Sequence, residues 1–118
     1  MINLQNQLEK INLKQGTIEF WMREDKIQWS DNKTNILFNI PVNNTENGSL
    51  FMVKDEDNKL KFFHVILGKG RTDVEADVSG LSNKKPHHIV VTWDVNKQTI
   101  ILYIDGKQAS ETKIEYLF

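Results

Sequence analysis

The side chains with chemistry to offer are a set of acids, three histidines and a handful of aromatic residues, spread over 118 positions. The densest acidic run is Asp55-Glu56-Asp57-Asn58. An oxygen-only calcium site needs several carboxylates or carbonyls converging at about 2.3–2.6 Å, and Asp55 and Asp57 are the positions that would contribute to one. The run lacks the spacing of an EF-hand loop, and a solvated hairpin turn accounts for the same residues. Asp73, Glu75 and Asp77 fall on one strand face, about 7 Å apart, where they meet a basic partner or face water. A glycoside hydrolase needs two acids on one face about 5–9 Å apart, with one of them held protonated. The 73–77 stretch has no aromatic residues beside it to bind a sugar ring, so hydrolysis is the least supported chemistry.

His64 is in phase with Leu60, Phe62 and Ile66, which makes it a hydrogen-bonded structural histidine. His87 and His88 are adjacent, so a regular strand points them to opposite faces and they cannot both ligate one ion. No nucleophile-elbow motif frames a Ser/His/Asp triad. Carbohydrate binding rests on aromatic rings, because an exposed indole or phenol stacks on the C–H face of a pyranose while neighbouring amides and acids bond the hydroxyls. Trp21, Trp29 and Tyr103 are the candidates. Trp29 leads, since it lies among Lys26, Gln28, Ser30 and Asp31 where no apolar row explains it; packing beneath its own loop is the competing reading. Trp93 reads as core. Arg71, which follows Gly68-Lys69-Gly70, is placed to bond a hydroxyl or a carboxylate.

Composition narrows the partners. Fifteen Lys+Arg against sixteen Asp+Glu leave a net charge of −1, so no global field draws the chain to nucleic acid or to an anionic membrane. The absence of cysteine removes disulfides, zinc–thiolate sites and a thiol nucleophile. No apolar run approaches the length of a membrane span, and residues 1–13 are too polar for a signal peptide. A chain of this length forms one domain with one core over residues 1–118.

These residues must be positioned by strands, because period-two alternation dominates from Gly16 onward. Residues 16–23 put Ile18, Phe20 and Met22 on one face and Glu19, Trp21 and Arg23 on the other. Residues 35–40 form the next strand, which Pro41 is expected to end. Residues 49–54 and 60–67 read as a hairpin across the acidic turn. In residues 72–79, Val74, Ala76 and Val78 point inward. The clearest pair is 88–93 with 99–104, and Asp105-Gly106 is a tight turn whose two positive φ angles suit aspartate and glycine. Residues 1–14 read as an arm or a short helix.

Three blocks stand out in order: Gly16-Thr17-Ile18-Glu19-Phe20-Trp21-Met22, then His87-His88-Ile89-Val90-Val91-Thr92-Trp93-Asp94, then Leu102-Tyr103-Ile104-Asp105-Gly106-Lys107, with Ile36-Leu37-Phe38 between the first two. Together they resemble the concanavalin A-like lectin/glucanase domains, and the laminin-G-like branch in particular, over about residues 16–110. The resemblance implies an all-β, two-sheet antiparallel sandwich (jelly roll). It implies a module that binds carbohydrate or a protein ligand, with calcium a frequent companion and an extracellular or cell-surface setting; with hydrolysis so little supported by the acids, the expectation is a non-catalytic module binding at one rim. Pro86 stands where a Trp commonly precedes the paired histidines. Fifteen residues precede the first block and eleven follow Lys107, fewer than the family usually carries. The expected sandwich is therefore shortened at both ends to eight or nine strands, its open edges covered by residues 1–14, by residues 107–118, or by a partner. That partner would be a second copy or the rest of a longer chain, which makes a structural assembly domain the alternative function.

Overall fold

A computed structural model describes residues 11–43 and 46–116 of the protein. Most of the possible arm or short helix at residues 1–14 lies outside the described residues. Eight strands follow: β1 (Gln15–Met22), β2 (Asn35–Asn43), β3 (Asn47–Lys54), β4 (Lys59–Ile66), β5 (Gly70–Asp77), β6 (His87–Asp94), β7 (Thr99–Ile104) and β8 (Lys107–Lys113). They form two antiparallel four-stranded sheets, β1-β6-β7-β8 and β2-β3-β4-β5, and among the described residues there is no helix. The fold is the expected two-sheet sandwich.

Alternation builds the core, since each strand turns one row of apolar side chains toward the opposite sheet. Ile89, Val91 and Trp93 of β6 lie beside Ile100 and Leu102 of β7, and all five are buried. Aromatic rings then stitch the sheets together. Phe20 of β1 meets Phe38 of β2 edge-on at 6.1 Å, and Phe62 of β4 stacks on Trp93 of β6 at 5.8 Å. Gly16 is opposite Trp93 in the β1–β6 ladder, and a Cβ there would lie 2.5 Å from the indole. The glycine of the first block is thus the seat of the tryptophan of the second.

Two local expectations meet the structure differently. The Asp105-Gly106 turn has φ angles of 53° and 81°, the two positive values that the tight turn requires. Pro41, by contrast, does not end its strand: β2 runs on to Asn43, with Pro41 opposite Ser49. The reason is position, because β2 is at a sheet edge and needs ladder donors on one side only.

The two chain ends converge on His64, which is fully buried on β4. Its Nε2 donates to the Leu13 carbonyl at 2.6 Å. The Tyr116 hydroxyl lies 2.7 Å from Nδ1 and 2.9 Å from the His64 carbonyl, with the two rings stacked. Asn12 accepts the Trp93 indole N–H at 2.9 Å, and Lys14 accepts the Val95 N–H. Residues 107–113, into which the Asp105-Gly106 turn reverses the chain, form the edge strand β8 and cover the free side of β7. Strand β8 packs against β5 and closes that flank of the sandwich, whereas among the described residues β1 and β2 on the other flank meet chiefly through Phe20 and Phe38.

Burial holds the His64 pKa below its ordinary value, against the bonds that favour the charged ring. In the unfolded chain the imidazole takes its proton near the ordinary value of about 6.5. The unfolded state therefore binds more protons as pH falls below that point, and the native state loses stability. We expect the urea midpoint to fall between pH 7.5 and pH 5.5, and His64→Gln to flatten that dependence; an unchanged pH profile in the variant would contradict this role.

Candidate binding groove between the open strand edges

The four residues expected to bind a ligand do not come together. Trp29 is only 1% exposed, which corrects its place as the leading sugar contact. The connection between β1 and β2 alternates, with Lys26, Gln28 and Ser30 outward and Ile27 and Trp29 inward, so its polar neighbours conceal a row of two core residues. The Trp29 ring meets His87 edge-on at 5.8 Å, and its backbone N–H donates to Asn83 at 2.7 Å. Arg71 is on β5, on the outer face of the other sheet, where it pairs with Asp73 at 2.9 Å and lies over the Phe63 ring at 5.0 Å. Tyr103 is half-buried on the outer face of β7, opposite Val90. Trp21 shares that face two strands away, on β1, and its ring stacks on His88 at 4.9 Å.

Trp21 is the aromatic candidate that the fold presents to solvent, at 65% exposed. It stands at the mouth of a cavity of about 370 Å³ formed where β1 ends and β2 begins, on the flank where both are edge strands. Met22, Ile27 and Leu37 are buried beneath it and make an apolar floor. Ile36, 48% exposed, stands opposite Trp21 as a second apolar wall. Arg23, Lys26 and Asn35 supply polar donors around the rim, and Arg23 is held by Asp25 at 3.1 Å. An apolar cleft with a few placed polar groups is the general form of a small-ligand site.

Ile36, Arg23, Lys26 and Asn35 did not stand out in the sequence. The ladder between β2 and β3 slips between Ile36 and Phe38, so Leu37 and Phe38 both face the core and Ile36 is turned out. Three apolar residues in a row gave a sign of that irregularity, since strict alternation cannot bury all three.

The acidic turn is built differently from a metal loop. The Asp55 carboxylate accepts the backbone N–H groups of Asp57 and Lys59 at 2.9 and 3.0 Å and pairs with Lys61 at 3.0 Å. Partial burial pushes the Asp55 carboxyl up, and the bonds from Lys61 and the two amides outweigh it, leaving the pKa below its ordinary value. Asp57 faces solvent. Among the described residues, no three His, Asp or Glu side chains converge as a metal site.

Next to this turn the fully buried side chain of Lys54 ties the β1–β2 connection down. Its Nζ donates to Asp31 Oδ1 at 2.6 Å, to Asn58 Oδ1 at 3.2 Å and to the Asp55 carbonyl at 3.4 Å. The Lys54 bond holds the Asp31 carboxyl below its ordinary pKa. Asn58 also accepts the Asn32 N–H at 2.9 Å and returns a side-chain bond to Asn32; both asparagines have positive φ. Beside Trp29, His87 is clamped between Asp105 Oδ2 at 2.6 Å and the Ser82 carbonyl at 2.8 Å. Asp105, which a turn alone would explain, thus also orders the 80–86 connection.

An antiparallel sandwich of two four-stranded sheets, closed on one flank and grooved on the other, has the architecture of a binding module. The family model described as the concanavalin A-like lectin/glucanases superfamily, of laminin G type, matches residues 2–117, and the chain belongs to that family. No curated protein and no solved structure matches the chain significantly.

The two tryptophans should separate on substitution. Trp29→Ala removes a fully packed ring and is expected to cost about 3–5 kcal/mol of stability, while Trp21→Ala should stay within about 0.5 kcal/mol. Equal losses in denaturant unfolding would contradict the assignment of Trp29 to the core and Trp21 to the surface.

Proposed function

We propose that the domain is a non-catalytic carbohydrate-binding module and that the groove between β1 and β2 holds the sugar. The observation that carries this reading is the exposed Trp21 ring standing beside Arg23, Lys26 and Asn35 above an apolar floor. The indole face suits the C–H face of a pyranose, and the three polar side chains reach hydroxyls at its edge. A hydrolase places two carboxyl groups across the scissile bond, whereas the groove lining carries none.

A glycan array probed with and without chelator tests the proposal. Binding by the wild-type domain and at least a tenfold loss in Trp21→Ala are expected, with Arg23→Ala and Lys26→Ala weaker but measurable. Full binding by Trp21→Ala would overturn the placement, and cleavage of a bound glycan, seen by mass analysis, would overturn the non-catalytic part.

A second reading, self-assembly, is favoured by the state of β1. Its ladder with β6 is unbroken from Gln15 to Met22, and among the described residues no strand pairs with its other side. The edge strand β2 carries Pro41 and an irregular register, and β8 carries lysines and a register shift, devices that discourage further pairing; β1 has neither. An antiparallel contact between two β1 strands with Trp21 opposite Trp21 sets Glu19 across from Arg23 on both sides. No glycan signal together with a concentration-dependent dimer in ultracentrifugation would favour this reading over the first.

A further inference from the structure

Calcium is the cation that this fold family implies, and the residues at the acidic rim do not fit it. The oxygens that converge there already converge on a cation of the chain's own. Around Lys54 Nζ stand a carboxylate oxygen of Asp31, a side-chain amide oxygen of Asn58 and the main-chain oxygen of Asp55, at 2.6, 3.2 and 3.4 Å. All three are hard oxygen acceptors, the donor type of a calcium shell, and an ammonium has three N–H groups to give them. Of the three acids of the turn, Asp55 spends its carboxylate on two backbone amides and Lys61, while Glu56 and Asp57 face solvent. Burial separates the two lysines: Lys54 is fully buried, while the Lys61 side chain is about one-third exposed and ranges between Asp55 and Glu75.

We propose that Lys54 is the resident cation of this rim: its ammonium, delivered from the end of β3, occupies the oxygen cage that a free cation would otherwise need to fill. The rim is therefore ordered without metal, and removing the ammonium converts it into a cation-dependent site. Lys54→Ala leaves the cage empty with Asp31 still aimed into it, whereas Lys54→Met removes the charge but fills the space with an apolar stem.

Thermal unfolding followed by circular dichroism, in 5 mM calcium chloride or in EDTA at matched ionic strength, tests this without reference to any glycan. The wild-type melting temperature is expected to be the same in both. Lys54→Ala should melt at least about 10 °C lower in EDTA, as loss of a fully buried side chain and its hydrogen bonds implies, and should regain at least half of that in calcium. Lys54→Met should be destabilised and gain nothing from calcium, and adding Asp31→Asn to Lys54→Ala should abolish the rescue. If Lys54→Ala is unfolded in EDTA, calcium-induced folding is the supporting result. A calcium-dependent rise in the wild type, or a Lys54→Ala protein that calcium does not stabilise or fold, would overturn the proposal.

Discussion

Burying an ammonium group costs several kcal/mol unless its hydrogen bonds and its charge are both answered. Lys54 sets that demand at the end of β3, and the chain meets it from one distant and one adjoining segment: Asp31 and its neighbour Asn32 from the β1–β2 connection, Asp55 and Asn58 from the β3–β4 turn. A pair of this kind adds little net stability over an apolar substitute, but its geometry is demanding. It fixes where residue 31 must lie, and so the path of the twelve-residue connection that also carries Arg23, Lys26 and Ile27. The walls of the groove follow from that path.

Trp29 is the second anchor of the same connection. Its ring fills the end of the sandwich against His87, and His87 is itself held by Asp105 and Ser82. The groove stays open because the two flanks of the sandwich are finished differently. On the far flank β8 packs beside β5, and Tyr116 reaches His64; on the near flank the connection drops Ile27 and Trp29 between the sheets and leaves the edges of β1 and β2 apart. The candidate groove is a by-product of a loop that fills the core with alternate residues.

Much of the fold was legible because alternation, turn chemistry and motif agreed. Ile18 and Met22 of β1 and Trp93 of β6 are buried where the alternation and the core reading placed them, and Gly16 with Trp93 shows why two separate blocks of the sequence belong together. The candidate site was less legible. Trp21 was recognisable as the outward aromatic of an amphipathic strand, but Trp29 was misjudged because its four polar neighbours Lys26, Gln28, Ser30 and Asp31 outweighed the Ile27-Trp29 alternation inside the loop. Ile36 was hidden by a ladder slip that a residue pattern signals only as one apolar residue too many. Nothing in the 49–54 strand pattern marks Lys54, since its burial depends on oxygens 23 residues before it and four after, a convergence that only the tertiary fold creates.

The central claim is that the functional surface of this sandwich is the β1–β2 groove, with Trp21 presented and Trp29 and Trp93 built into the core. Two-dimensional ¹⁵N NMR of the labelled domain tests it most directly, because each of the three indole N–H groups gives its own signal. On titration with a bound oligosaccharide, the Trp21 indole and the backbone amides of Arg23, Lys26 and Asn35 should shift together while the Trp29 and Trp93 indoles hold still. Shifts gathered instead around Phe63 and Arg71 on the other sheet, with Trp21 unmoved, would contradict the account.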